Sequence, residues 1–417
     1  MFRKIVLMSA LIIFFMSLAG PVFAATENQQ TVPWWKFQSI DTMKYSRDNS
    51  REYLGSSSTV KAVIKWQVAA IAETGVTHVA IATPYDEEFL PILRLWVAEA
   101  RKHELKVWFR GNWSGWEQWF EYPRISREQH IEKTILFIEE NPDLFEDGDF
   151  FTACPECENG GPGDPRRNND AVGHRKFLIQ ETEVTTTAFQ KIKKEVHSNL
   201  HPMNADVARL VMDEATTKAL GGIVTIDHYV KTPEQLAKDV RDIAKKSKGK
   251  IILGEFGAPI PDINGKFTDA QQAEWIQNAL TLLVDEPDLI GLSYWTNVGG
   301  TTEIWSDDGQ ASSAVEVLTS FFKPQLFEGT IKNELGHPIL EAIVQTERKS
   351  VVTDKKGTFR IPYLDETTKV TISASGYDTT QITIAEYLQQ ESFELILINQ
   401  KKSFLFRLRL FINSFFN

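Results

Sequence analysis

Two stretches of this chain end an apolar run in carboxylates. Ile251-Ile-Leu-Gly-Glu-Phe-Gly257 puts Glu255 directly after a β-branched run, with a glycine on each side of the Glu-Phe pair. Asp149-Phe-Phe-Thr-Ala153 leads into Pro155-Glu156-Cys157-Glu158-Asn159. A carboxylate at the C-terminal end of a buried parallel strand faces the site of an α/β fold rather than its core. Glycines there let a ligand or another backbone come close. One such acid could equally cap the next helix. Two at the ends of different strands point to paired chemistry. A protonated carboxyl donates to a leaving oxygen while an ionised one attacks carbon or activates water. Each charge raises the other's pKa, which keeps one of the pair protonated near neutral pH.

Other strand ends supply further polar and aromatic groups. Arg110, Asn112 and Trp113 follow a third strand, and Asn204 lies near a fifth. Asp227, His228 and Tyr229 follow a sixth, and Trp295 ends an eighth. Two carboxylates beside flat apolar rings suit glycoside hydrolysis. Trp108, Trp113, Trp116 and Trp119 cluster near the third strand end, where stacking on sugars and simple packing both account for them. Arg110 either binds hydroxyls or holds Glu156 or Glu255 ionised. Arg166 and Arg167 read as solvated. His174, His228, Asp227 and the cysteines could ligate a metal, but no two histidines have a ligand spacing such as HExxH. We expect neither a metal nor a cofactor. The only cysteines are Cys154 and Cys157. Residues three apart in a straight strand point to opposite faces, so a local disulfide needs a turn there.

The elements that position these residues alternate. Strands are expected at 32–40, 75–82, 105–109, 149–153, weakly at 201–205, and at 222–226, 250–254 and 289–295. Helices are expected at 58–74, 89–103, 126–140, 173–197, 233–246 and 269–283, with Ser126 as a cap. That pattern implies parallel strands with crossover helices, an α/β chain whose residues 32–323 form a (β/α)8 TIM barrel. An open doubly wound sheet would need a glycine-rich phosphate turn after its first strand, and the Gly160-Gly-Pro-Gly163 loop is not one. Short strands between turns from 327 to 398 read as a small all-β sandwich. All eleven tryptophans precede it. The net charge of −11 argues against nucleic acid as a partner.

Both ends carry signals of their own. Arg3 and Lys4, the apolar stretch 5–18 and Val22-Phe-Ala24 read as a signal peptide over 1–24, with an uncleaved anchor as the alternative. A secreted protein, extracellular or in the periplasm and cell envelope, is the expectation. The basic and aromatic tail 399–417 fits contact with a membrane surface, a last strand or a disordered end.

Over 33–322 the sequence resembles the retaining glycoside hydrolases of clan A, barrel enzymes that include many cellulases and mannanases. The motifs are the GEFG around Glu255, His228-Tyr229 and Trp295. The resemblance implies Glu255 as nucleophile and a strand-four glutamate as acid/base. It also implies a strand-six pair that orients the nucleophile, and Trp295 stacked on the sugar of an oligo- or polysaccharide. The family's strand-four motif is Asn-Glu-Pro, and here Pro155 replaces its asparagine. Glu156 is preferred as acid/base because Cys157 then takes the place of the proline. Glu158, followed by Asn159, is the rival. Retention would place the carboxyl groups about 5–5.5 Å apart, and inversion roughly 6.5–9.5 Å. The alternative is an inactive carbohydrate-binding protein on a hydrolase fold, which Pro155 favours. A structural surface protein is a third reading. Gly336-His-Pro338, Val352-Thr-Asp354, Gly357-Thr-Phe359 and Ser375-Gly-Tyr377 make the small domain resemble the carboxypeptidase-regulatory-like sandwich, which implies a spacer or folding unit.

Overall fold

The computed structural model describes residues 32–54, 57–389 and 394–399. The expected signal peptide and the tail beyond Asn399 lie outside them. Eight parallel strands form one curled sheet: β1 (Phe37–Asp41), β2 (His78–Ile81), β3 (Lys106–Phe109), β4 (Phe150–Phe151), β5 (Met203–Asn204), β6 (Ile223–Asp227), β7 (Lys250–Phe256) and β8 (Leu289–Tyr294). Their order is β4-β3-β2-β1-β8-β7-β6-β5. The helices α1 (Ser57–Glu73), α2 (Leu90–Lys102), α3 (Arg127–Glu140), α4 (Ala171–Lys191), α5 (Pro233–Ser247), α6 (Asp269–Leu283) and α7 (Ser313–Phe322) alternate with the strands, and two shorter helices follow β5. This is the expected (β/α)8 barrel.

Local chemistry sets these elements. In α1 the residues Val60, Ile64, Val68 and Ile71 recur at helical spacing and are all buried. Ser126 and Gln129 form a reciprocal capping box at the start of α3, and Thr268 and Gln271 repeat it on α6.

Some expected boundaries move. The first strand starts at Phe37, after the buried Trp34 and Trp35, and runs on to Asp41. The fourth keeps two residues, because the chain turns at Cys154. The helix expected to reach His197 stops at Lys191, and Lys193 takes a left-handed conformation (φ 58°). The released segment then lies along β4, with Gly148 N–H donating to Glu195 O and Phe151 N–H to His197 O, both at 2.9 Å. Among the described residues no ladder joins β4 to β5. This seam is closed instead by such single bonds and by side chains.

The barrel interior is layered. Phe37, Ala80, Trp108, Leu200 and Ile252 form one buried cluster with Phe150, Ile223 and Ile290 against it. Side chains alternate across a strand, so every second residue returns to the axis. The sets Phe37-Ser39-Asp41 and Ile223-Thr225-Asp227 each step from apolar to small hydroxyl to carboxylate. Trp108 is followed in the same way by Arg110. The charged layer is thus at the C-terminal ends of the strands.

After α7 come β9 (Gln325–Asn333), β10 (Ile343–Gln345), β11 (Ser350–Val352), β12 (Thr358–Tyr363), β13 (Lys369–Ser373), β14 (Thr380–Thr383) and β15 (Glu394–Leu397). They form a four-stranded sheet, β11-β10-β13-β14, and a three-stranded one, β12-β9-β15. Phe327, Ile331, Val344, Ile361 and Ile372 belong to their shared core, separate from that of the barrel. Leu364 packs against the barrel core, and Arg348 pairs with Asp285 at 2.8 Å. Asp285 lies in the turn between α6 and β8, so this contact is made at the N-terminal ends of the barrel strands.

Candidate active site

Arg110 occupies the centre of the charged layer. Its Nη1 donates to Asp41 Oδ2 (3.0 Å) and Gly254 O (2.8 Å), and its Nη2 to Asp227 Oδ2 (3.0 Å) and Glu255 Oε1 (2.9 Å). The guanidinium also lies 4.9 Å from the centroid of the Trp108 ring. One planar fork therefore spans three carboxylates from β1, β6 and β7, a geometry that lysine could not match. The group is buried, and these four bonds to its two terminal nitrogens offset the loss of water, while its Nε is buried without a partner.

The glycines beside Glu255 have separate reasons. The β6–β7 register shifts between Ile226 and Asp227, so that Ile226 pairs with Leu253 but Asp227 with Glu255. The irregularity turns the Gly254 carbonyl to Arg110. A Cβ on Gly254 would lie 2.3 Å from Asp227 Oδ1, and one on Gly257 would lie 2.5 Å from the Trp295 carbonyl. Close approach of neighbouring groups requires glycine at both positions.

Both Glu255 oxygens act as acceptors, one from Arg110 and the other from Tyr229 O–H at 2.7 Å. Glu156 sits differently. It is left-handed (φ 43°, ψ 49°), in the turn between Cys154 and Cys157, which are joined by a disulfide. Its N–H donates to Pro202 O at 2.7 Å across the β4–β5 seam, and its Oε2 accepts from Asn159 Nδ2 at 2.8 Å. Burial, then the nearby charges of Glu255 and Glu158, push the Glu156 carboxyl up to about 8, against the pull of Arg110. The other acids respond to the same surroundings. Burial raises Asp41 to about 6 and Asp227 well above its ordinary value, with Arg110 opposing both. Asp227 Oδ1 is buried without a partner.

The structure sorts the residues singled out from the sequence. Arg110, Asp227, Tyr229, Glu255 and Glu156 share one electrostatic network, with Asn159 bonded to Glu156. The Trp295 ring meets Tyr229 edge-on with centroids 5.9 Å apart. Glu158 faces the seam: its Oε1 accepts from Asn204 N (2.7 Å) and Nδ2 (3.0 Å), so Asn204 anchors Glu158 rather than a sugar. Glu156 and Glu158 lie in and just after the turn that a disulfide between Cys154 and Cys157 requires.

Other residues lie elsewhere. Trp113 is core, with its Nε1 on Thr134 and its ring against Tyr85 and Phe137. Trp116 is buried against Phe177, and Trp108 lies under Arg110. Trp119 remains half-exposed, beneath the Arg47 guanidinium. Asn112 is buried, its Oδ1 meeting His130 Nε2 (3.0 Å) and Trp113 N–H (2.8 Å). The His228 ring turns to Asp239 on α5, 2.8 Å away, which leaves Tyr229 alone of that pair on the Glu255 carboxylate. Two of the groups offered as metal ligands are thereby engaged: the cysteines with each other, and His228 with Asp239.

Two site residues escaped the sequence reading. Asp41 lay one residue past the expected end of the first strand, although it is two residues on from Ser39 and shares its inward face. Glu117 accepts from Asn112 Nδ2 at 3.0 Å, and burial raises it to about 7. It lies in a short helix after β3, where nothing in the pattern marked it.

No family model and no curated protein matches the chain. Solved structures do. One is GH5_18 from Streptomyces cattleya in complex with GlcNAc, with TM-score 0.52, 13% identity, and 71% of this chain and 84% of that one covered. A structure from work on two fungal β-1,4-galactanases gives TM-score 0.47 at 13% identity, covering 68% and 99%. An FMN-binding β-glucuronidase from Facaelibacterium prausnitzii L2-6 gives 0.48 at 12%, covering 88% and 57%. The chain spans about half the length of the β-glucuronidases it resembles. The likeness to the Streptomyces structure is one of fold: a (β/α)8 barrel.

Proposed function

We propose that the protein is a glycosidase that hydrolyses an oligo- or polysaccharide with retention of configuration. The observation that carries this reading is the pairing of two unlike glutamates. Glu255 has both oxygens held as acceptors by Arg110 and Tyr229, while Glu156 stays protonated near neutral pH under burial and the charge of Glu255. Glu156 gives its proton to the glycosidic oxygen as the C–O bond breaks. Glu255 attacks the anomeric carbon and forms a glycosyl ester. Glu156, now ionised, takes a proton from water, whose oxygen attacks that carbon and releases Glu255. Trp295, half-buried with Tyr229 edge-on to its ring and the Lys44 ammonium over it, is the aromatic group offered to the sugar. The Streptomyces neighbour, solved in complex with GlcNAc, supports a carbohydrate ligand.

The Cys154–Cys157 bond suits an oxidising compartment, which supports the reading of the N-terminal segment as a secretory signal. The small domain serves as a carboxypeptidase-regulatory-like spacer, and the tail contacts the cell envelope.

The test is hydrolysis of β-linked polysaccharides and aryl glycosides, with the product anomer followed by NMR. Glu255→Gln is expected to abolish turnover, and Glu156→Gln to cost about 10²–10⁴-fold where the leaving group needs a proton. Binding without turnover in the unaltered protein would establish the non-catalytic reading instead.

A further inference from the structure

We propose that the Cys154–Cys157 bridge is a positioning device: it holds the chain in the turn that aims the Glu156 carboxyl at the glycosidic oxygen. The inference rests on the glycosidase reading. Only Pro155 and Glu156 lie between the two sulfurs, and the bridged Cα atoms are 5.3 Å apart. A straight strand would carry residues three apart far beyond that distance. Within this small ring Glu156 adopts φ 43°, in the left-handed region that a non-glycine residue enters only at a cost in strain. Glycine would avoid that cost, so the position keeps its strain together with its carboxyl. Pro155, the residue before it, has its own φ fixed by the pyrrolidine ring.

The ring is fastened at both ends to buried groups. Cys154 and Cys157 are themselves buried. Asn112 Nδ2 reaches Cys154 Sγ at 3.7 Å, and Trp116 Nε1 donates to Cys157 O at 3.3 Å. Asn112 is fixed in turn by His130, whose other ring nitrogen meets Glu181 Oε1 at 2.6 Å. The turn hydrogen bonds, Glu156 N–H to Pro202 O and Asn159 N–H to Glu156 O, then set the direction of the side chain. Without the bridge Pro155 and Glu156 can relax to extended backbone and continue the strand, which swings the carboxyl off its line. The groups facing it there are Glu255 from β7, Arg110 after β3, Glu158 in the same turn and Glu117 in the short helix.

The experiment compares Cys154→Ser/Cys157→Ser with the unaltered protein on two glycosides of one sugar. One carries a dinitrophenyl group, which leaves without a proton, and the other an alkyl group, which needs one. We expect about 10²-fold loss of kcat on the alkyl glycoside and little loss on the dinitrophenyl one. Equal loss on both, or no loss, would overturn the positioning role. Should the double variant not fold, the same pair of substrates is run on the folded protein before and after reduction by a dithiol. One thiolate attacks a cysteine sulfur and the second closes the cyclic disulfide, leaving two protein thiols that alkylation counts. If the unaltered protein turns over neither glycoside nor any other, the glycosidase reading fails, an outcome distinct from both.

Discussion

Glu156 holds a proton at a pH where an ordinary glutamate has lost it, and two consequences follow at the scale of this residue. Activity that needs its proton falls as pH rises through about 8, so the alkaline limb of kcat/KM is expected there, and its loss in Glu156→Gln is the check. The second consequence concerns stability. The folded value lies above the ordinary 4.5, so the native state binds this proton more tightly than the unfolded chain. The contribution is full below about 4.5 and is lost as pH rises through about 8. Glutamine has no charge to bury. Glu156→Gln is therefore expected to be more stable than the unaltered protein at pH 9, by more than about 1.4 kcal/mol, the equivalent of one pKa unit; thermal melts across pH measure it. Glu156 and Glu255 were legible because each comes just after an expected strand, at 149–153 and 250–254. Trp113 was not, because residue type alone does not separate a buried indole from a sugar platform. Asn204 and His228 lay at the expected strand ends, yet their side chains turn to Glu158 and Asp239, a choice made by tertiary neighbours.

At the scale of elements, Arg110 ties β1, β6 and β7 together through carboxylates. Arg110→Met leaves Asp41, Asp227 and Glu255 without the cation they share. The expected outcome is about 3–5 kcal/mol of destabilisation at pH 8, easing as pH falls and Asp41 and Asp227 protonate. Denaturant titrations at two pH values read both effects. The strand and helix periods showed most of the barrel. That reading was weak at the fifth strand and drew the fourth too long, for one physical reason: each is two residues long. Their pairing is replaced by the backbone bonds of 148–151 with 195–197 and by Glu158 with Asn204. Isolated bonds of this kind leave no repeat in a sequence. The turn after β4 was legible only as a condition, that a disulfide between Cys154 and Cys157 would need one.

At the scale of the whole molecule, the two hydrophobic cores were visible as a change from mixed helix and strand signals to short strands after α7. Their contact was not, since Leu364 and Arg348 look like ordinary loop residues until the barrel meets them. That contact lies at the strand ends opposite the carboxylates. Shortening the chain after Lys323 is thus expected to leave kcat/KM within about twofold while lowering Tm, as contacts to the barrel core are lost. Parallel kinetics and melts of the shortened protein decide it; a large drop in kcat in a folded, shortened protein would give the sandwich a part in catalysis.

The apolar layer of Phe37, Trp108, Leu200 and Ile252 closes the barrel beneath Arg110. Whatever reaches the charged layer must therefore come from the C-terminal ends of the strands, a doorway on one side of the barrel. On the proposed glycosidase reading a polymer cannot thread through, and a released sugar leaves by the side its successor enters. Traffic at that doorway makes the product a competitor of the substrate, and progress curves run with added product should show inhibition that more substrate relieves.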